Sequence, residues 1–162
     1  MAVTKRARKR VKKSGIIYFA VNNRITNMVK IGMTTETAES RLRTANRKHE
    51  FMCGTWSITQ KVKTNDVKRT EDLGHTIFSK FHDKDSVSTE MFFIPPDMTV
   101  KQMADIVREK DKVMRQQLEK QAKAIEAVEQ AKAALDKLDL ETHELILLKP
   151  NIEDELAVSS ET

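Results

Sequence analysis

Long apolar runs are missing from this 162-residue chain, and cysteine, proline and glycine are scarce, at one, three and four residues. A membrane-spanning helix needs roughly 20 consecutive apolar residues, and nothing in the sequence approaches that, so no membrane association is expected. The positively charged N-terminus has no apolar segment behind it, unlike a secretory leader. The lone Cys53 excludes an internal disulfide and any cysteine-rich zinc module. It suits a reducing compartment, and no neighbouring histidine points to activation, so an inert thiol and a cytoplasmic location are expected. The single Trp, single Tyr and six Phe concentrate in the middle of the chain, which argues against a wholly disordered protein.

Acidic residues are absent from residues 1–14, where Lys5, Arg6, Arg8, Lys9, Arg10, Lys12 and Lys13 give a block of +7. Residues 15–96 balance at +3 and residues 97–162 at −5, so the overall charge of +5 is polarised from a basic head to an acidic tail. A block of like charge repels itself, and phosphate is its natural partner. Residues 1–14 are therefore expected to form a disordered basic arm that contacts DNA, with a solubilising or targeting tail as the plainer alternative.

Residues 15–96 carry the signals of a small α/β domain. Ile16–Val21 is a short β-rich run, closed by the turn residues Asn22-Asn23-Arg24, and Met28–Met33 can pair with it as a hairpin. Thr37 can cap a helix reaching about His49, with Ala38, Leu42 and Ala45 on one face. Thr55–Val62 alternates and is rich in β-branched residues, which predicts a third strand. Asp66 opens a second helix with Leu73, Ile77, Phe78 and Phe81 on its apolar side. Met91–Ile94 predicts a last short strand, ended by Pro95-Pro96. The order ββαβαβ implies a central antiparallel sheet flanked by helices. Trp56, Phe92 and Phe93 are expected in its core, and His49 and His82 on its surface.

Residues 97–148, after the Pro95-Pro96 break, contain neither glycine nor proline. They are rich in strong helix formers. Met103, Val107, Met114, Leu118, Ile125, Val128 and Leu135 form an approximate stripe, interrupted by Lys110, Gln117 and Gln121. Two readings stay open: a coiled coil, or one long helix folding back on the domain. Either would serve assembly, as a homodimer or by docking a protein partner. Residues 149–162 are expected to be an acidic flexible tail.

Several polar residues of the middle domain have a chemistry in common. A tyrosine hydroxyl has an ordinary pKa near 10 and needs help to act as a base. A lysine held beside Tyr18, such as Lys30 on the next strand, would favour the phenolate. Arg41 offers a planar fork of donors matched to phosphate oxygens. Glu71 can hold Mg²⁺ or another divalent cation, which would stabilise charge on a leaving oxygen. His75, one turn beyond Glu71, could donate a hydrogen bond or proton to a phosphate. Taken singly, Tyr18 is better read as a core tyrosine, Arg41 as a surface charge and Glu71 as part of a solvated helix start. The ordered set is what carries the argument.

Read in order, GIIY at 15–18, VKIG at 29–32, ESRL at 39–42, TEDLGH at 70–75 and EMFF at 90–93 resemble the GIY-YIG nuclease superfamily. More narrowly, the sequence is similar to the phage-associated branch whose second motif reads K-I-G. The resemblance covers residues 15–94 and leaves both flanks aside. It implies that Tyr18 positions or activates the attacking water and that Arg41 contacts the scissile phosphate. It further implies that Glu71 binds the metal and that His75 matches a histidine frequent in this branch. Lys30 stands where many members have a second tyrosine, and Glu90 matches an acidic residue to which the resemblance lends no role. An asparagine that some relatives carry after the glutamate helix has no counterpart between residues 72 and 96. The resemblance thus implies a metal-dependent DNA endonuclease, phage-encoded and acting in the host cytoplasm or nucleoid. The alternative is a weak or inactive protein of the same fold that binds DNA or a host protein.

Overall fold

The computed structural model describes the backbone of residues 12–48, 50, 54–86 and 88–158, and side chains as far as Leu138. Lys5, Arg6, Arg8, Lys9, Arg10, His49 and Cys53 lie outside the described residues. Among the described residues four strands, β1 (Gly15–Asn22), β2 (Met28–Thr34), β3 (Trp56–Thr64) and β4 (Met91–Phe93), form one sheet in the order β3-β1-β2-β4. Every pairing is antiparallel. Among the described residues three helices accompany them: α1 (Ala38–Lys48), α2 (Val67–Ile77) and α3 (Val100–Val158). A single 3-10 turn at Ser79–Phe81 follows α2. This is the mixed α/β architecture that the sequence pattern implies.

The apolar run of β1 is continuous rather than alternating because both faces of the sheet are covered. On one face Tyr18, Ala20, Met28, Trp56 and Met91 pack with Ala38 and Leu42 of α1. On the other, Ile17, Phe19, Val29, Ile31, Val62 and Phe92 pack with Val67 of α2 and with Met103, Ala104 and Val107 of α3. Each fully buried Val, Leu, Ile, Phe or Met among them contributes about 1.5–3 kcal/mol of transfer free energy. Asn46 fastens α1 to β3 with both ends of its amide. Its Nδ2 donates to the Trp56 carbonyl at 2.8 Å, and its Oδ1 accepts from the Trp56 N–H at 3.0 Å. Gly54, at the entry to β3, has φ of 96°, and a Cβ there would lie 2.6 Å from Asn22 Oδ1. Backbone conformation and the two asparagines of the β1–β2 turn together make glycine necessary at that point.

Helix starts follow their caps. Thr37 Oγ1 accepts from the Ser40 N–H at 3.3 Å, and Asp66 Oδ1 accepts from the Arg69 N–H at 3.3 Å. At α3, Thr99 and Gln102 form a reciprocal box. The Gln102 N–H donates to Thr99 Oγ1 at 3.2 Å, and the Thr99 N–H donates to Gln102 Oε1 at 2.8 Å. The helix therefore begins at Val100 rather than 97. It continues to Val158, so residues 149–158, expected as a tail, lie within it.

The chain divides into two compact units, Met1–Met114 and Arg115–Thr162. The domain expected to end at residue 96 thus extends to Met114, because Met103, Ala104 and Val107 are wholly buried in its core. Along the second unit Leu118, Ile125, Val128, Leu135 and Leu138 are exposed. Phe93, expected in the core, is 41 % exposed, whereas Phe92 is buried. The two point to opposite faces of β4, and Phe93 falls at its outer end, opposite Met28. His82, expected on the surface, is half-buried and packs edge-on against Phe92 with ring centroids 5.3 Å apart.

Candidate active site

Strand register brings Tyr18 and Lys30 to one face. Tyr18 pairs with Gly32 and Ala20 with Lys30, so the two polar side chains stand diagonally across β1 and β2. Gly32 is there because the tyrosine lies over it. A Cβ at that position would meet the Tyr18 hydroxyl at 2.7 Å, its Cζ at 2.8 Å, and Glu90 Oε2 at 3.3 Å. The tyrosine hydroxyl and the Glu90 carboxylate thus both border the space over Gly32. Glu90 is held in register by its carbonyl, which accepts from the Ile31 N–H at 2.9 Å. Its carboxylate forms an ion pair with Lys30, which is fully buried.

Burial dominates the protonation of both groups. It pushes the Tyr18 hydroxyl up to about 12, although the Arg41 charge pulls the other way. Desolvation of the phenolate thus outweighs the nearby Arg41 cation. Burial also pulls the Lys30 ammonium down to about 7, aided by Arg41 and opposed by the Glu71 and Glu50 carboxylates. The ion pair with the Glu90 carboxylate pulls the other way, toward the ammonium.

Arg41 extends from the first turn of α1 and lines a shallow cavity of about 310 Å³ with Met33, Thr34, Thr35 and Glu36. Its Nη1 donates to Glu50 Oε2 at 2.7 Å, and this bond holds the guanidinium above its ordinary pKa. A larger groove of about 630 Å³ between α1 and β3 contains none of these residues. Glu71 projects from α2 with its side chain only 5 % exposed. Its Oε2 accepts from Lys68 Nζ at 3.0 Å, while its Oε1 is buried with no hydrogen-bond partner among the described residues. An orphaned carboxylate oxygen in a buried position is costly, and a cation is one of the few ligands that offsets it. Mg²⁺ is commonly held by one or two carboxylates with water and substrate oxygens completing its shell, so Glu71 fits such an ion. Among the described residues, no three His, Cys, Asp or Glu side chains converge as a larger metal cluster. Glu71 acts electrostatically on both Tyr18 and Lys30, which ties α2 to the β1–β2 pair.

The family model of the T5orf172 domain matches residues 15–111. The chain belongs to the T5orf172 domain family. This family is phage-associated, and the match ends at Asp111, in the stretch of α3 whose Met103 and Val107 complete the core. Comparison with curated proteins and with solved structures gave no match.

Within the T5orf172 domain, four of the five expected residues, Tyr18, Lys30, Arg41 and Glu71, share one electrostatic neighbourhood. The fifth does not. His75 donates from Nε2 to the Ile31 carbonyl at 3.0 Å, and its ring packs on Phe92 with centroids 5.1 Å apart. That nitrogen is committed to the sheet backbone. The bond anchors α2 on β2.

Two carboxylates belong to the neighbourhood that the sequence did not assign. Glu90 had a place in a motif but no role, and its partner Lys30 could be found only through β2–β4 pairing. Glu50 had no signal at all. It follows α1 through a turn in which its N–H donates to the Ala45 carbonyl at 3.1 Å, and no spacing rule links it to Arg41. Of the basic arm, Lys12 and Lys13 are described and exposed. The Lys13 carbonyl accepts from the Val67 N–H at 2.9 Å, which brings the arm to the start of α2, the helix that carries Glu71.

Proposed function

We propose that this T5orf172 domain is a divalent-metal-dependent DNA endonuclease of the GIY-YIG type, encoded by a phage and acting in the host cytoplasm. The observation that carries this reading is the convergence of Tyr18, Lys30, Arg41 and Glu71 from β1, β2, α1 and α2, with one Glu71 oxygen buried and without a hydrogen-bond partner among the described residues. The Arg41 fork receives the scissile phosphate. Neutral Lys30 takes a proton from the attacking water, whose oxygen bonds to phosphorus as the bond to the leaving oxygen breaks. The ammonium so formed is stabilised by its ion pair with Glu90. Tyr18, protonated at neutral pH, donates from its hydroxyl to orient the water or a phosphate oxygen. Glu71 would hold the cation; Mg²⁺, when bound, stabilises charge on the leaving oxygen and orients the phosphate. The basic arm adds affinity for the DNA backbone without sequence preference.

Supercoiled plasmid with Mg²⁺ tests this directly. The wild type nicks or linearises it, whereas Glu71→Ala and an EDTA control leave it intact. Plasmid that is shifted but uncut with every protein sinks the enzyme and leaves the second reading, a DNA-binding module of the same fold.

A further inference from the structure

Arg41 already holds an anion of the protein's own. Glu50 Oε2 accepts from its Nη1 at 2.7 Å, and Lys48 Nζ lies 3.9 Å from the other carboxylate oxygen. Arginine binds carboxylate and phosphate through the same planar donor fork. The Glu50 carboxylate therefore occupies ground that a phosphate on Arg41 would need. Its charge also reaches the other residues of the site, acting on both Tyr18 and Lys30. Nothing about Glu50 suggests a core role, since its side chain is 31 % exposed and Arg41 is 36 % exposed. An ion pair with that much water around it is weak enough to exchange.

We propose that Glu50 is a specificity-determining residue, an internal stand-in for phosphate on Arg41 that excludes small free anions and yields only to phosphate presented by a polynucleotide. The inference rests on the reading of Arg41 as the phosphate-holding residue. Its physical basis is competition. A tethered carboxylate acts at an effective concentration in the millimolar range or above, and a lone phosphate or mononucleotide must displace it with one contact. A polynucleotide brings further phosphates to basic side chains that Glu50 does not oppose, and those contacts offset the displacement. The site thus discriminates polymer from monomer without a wall or a lid.

The test is titration of inorganic phosphate and, separately, of a short DNA duplex into the full chain at fixed ionic strength. Wild type, Glu50→Gln, Glu50→Ala and the double variant Arg41→Ala/Glu50→Gln are compared by calorimetry. Both Glu50 variants are expected to bind phosphate at least about fivefold more tightly than wild type, the lower end of ordinary coupling between sites. The duplex gains by a smaller factor, and the phosphate gain disappears in the double variant. Phosphate affinity unchanged or lowered in the Glu50 variants overturns the proposal. So does a gain that persists without Arg41, or a duplex gain as large as the phosphate gain. None of these readouts involves cleavage, so an inactive protein in the plasmid assay leaves them intact. Failure of the underlying reading appears elsewhere, as Arg41→Ala alone leaving duplex affinity unchanged.

Discussion

Lys30 is the residue on which the proposed chemistry turns, and its environment works in two directions. Burial lowers its pKa to about 7, and the Glu90 carboxylate supports the charged form when a proton arrives. A base of this kind has its proton affinity matched to neutral pH. Cleavage is therefore expected to rise about tenfold per pH unit below about 7 and to level above it. Lys30→Met should lose the inflection and about 10²–10⁴ in rate, the range set by general base catalysis. A pH–rate profile of both proteins checks this; a wild-type profile flat through pH 7 would remove Lys30 from the role. Linkage gives the matching stability sign. Between the folded value near 7 and the ordinary value of 10.5, the unfolded chain binds more protons at Lys30, so this group makes stability rise with pH in that window. Tyr18, raised to about 12, contributes no inflection near neutrality.

At the scale of elements, the placement of Glu71 depends on how α2 is held. His75 ties its C-terminal turn to β2, and the N-terminal turn is tied through a buried polar cluster. Thr70 Oγ1 donates to Asp111 Oδ1 at 2.8 Å, Arg69 Nη2 donates to the same oxygen at 3.4 Å, and Thr64 Oγ1 lies 3.4 Å from Oδ2. Asp111 is only 1 % exposed, so α3 reaches the residues next to Glu71 through a desolvated carboxylate. Removing one member of such a network leaves the others buried and unsatisfied. Asp111→Ala should cost about 3 kcal/mol, read as a lowered urea midpoint at unchanged slope. A cost under about 0.5 kcal/mol, the level of an ordinary surface change, would show that the cluster does not hold α2. The hydrophobic periodicity of residues 97–148 announced a helix but gave no hint of this contact. Asp111 reads in sequence as one more solvated charge, and only packing against Thr64 and Thr70 makes it an internal anchor.

For the whole molecule, the polarity of charge is the organising feature. Lys13, the last residue of the +7 stretch, meets α2 through its carbonyl, which accepts from the Val67 N–H. Deleting residues 1–11 spares that bond while removing Lys5, Arg6, Arg8, Lys9 and Arg10. The log–log slope of duplex affinity against salt should then flatten by about 0.9 for each phosphate that the arm neutralises, with circular dichroism unchanged. An unaltered slope would show that the arm does not bind the duplex. At the other end, the second unit exposes Leu118, Ile125, Val128, Leu135 and Leu138 along one helix. That stripe keeps an assembly role for α3 as a proposal, with a homodimer or a protein partner on this surface.

What the sequence alone determined was local. β-branched runs, capping residues and the Pro95-Pro96 stop act over a few neighbours, and they produced the strands and helices in the expected order. The motif residues Tyr18, Lys30, Arg41 and Glu71 were also legible, because each sits at a characteristic place within its own element. Tertiary structure decided everything that depends on two elements meeting. Pairing of β2 with β4 gave Lys30 its Glu90, and a turn after α1 returned Glu50 to Arg41. Packing bound His75 to the sheet backbone and drew the first turns of α3 into the core. Burial then pushed the Tyr18 hydroxyl up and the Lys30 ammonium down. Desolvation depends on how much of the surrounding space is filled by other parts of the chain, and no short stretch of sequence carries that quantity.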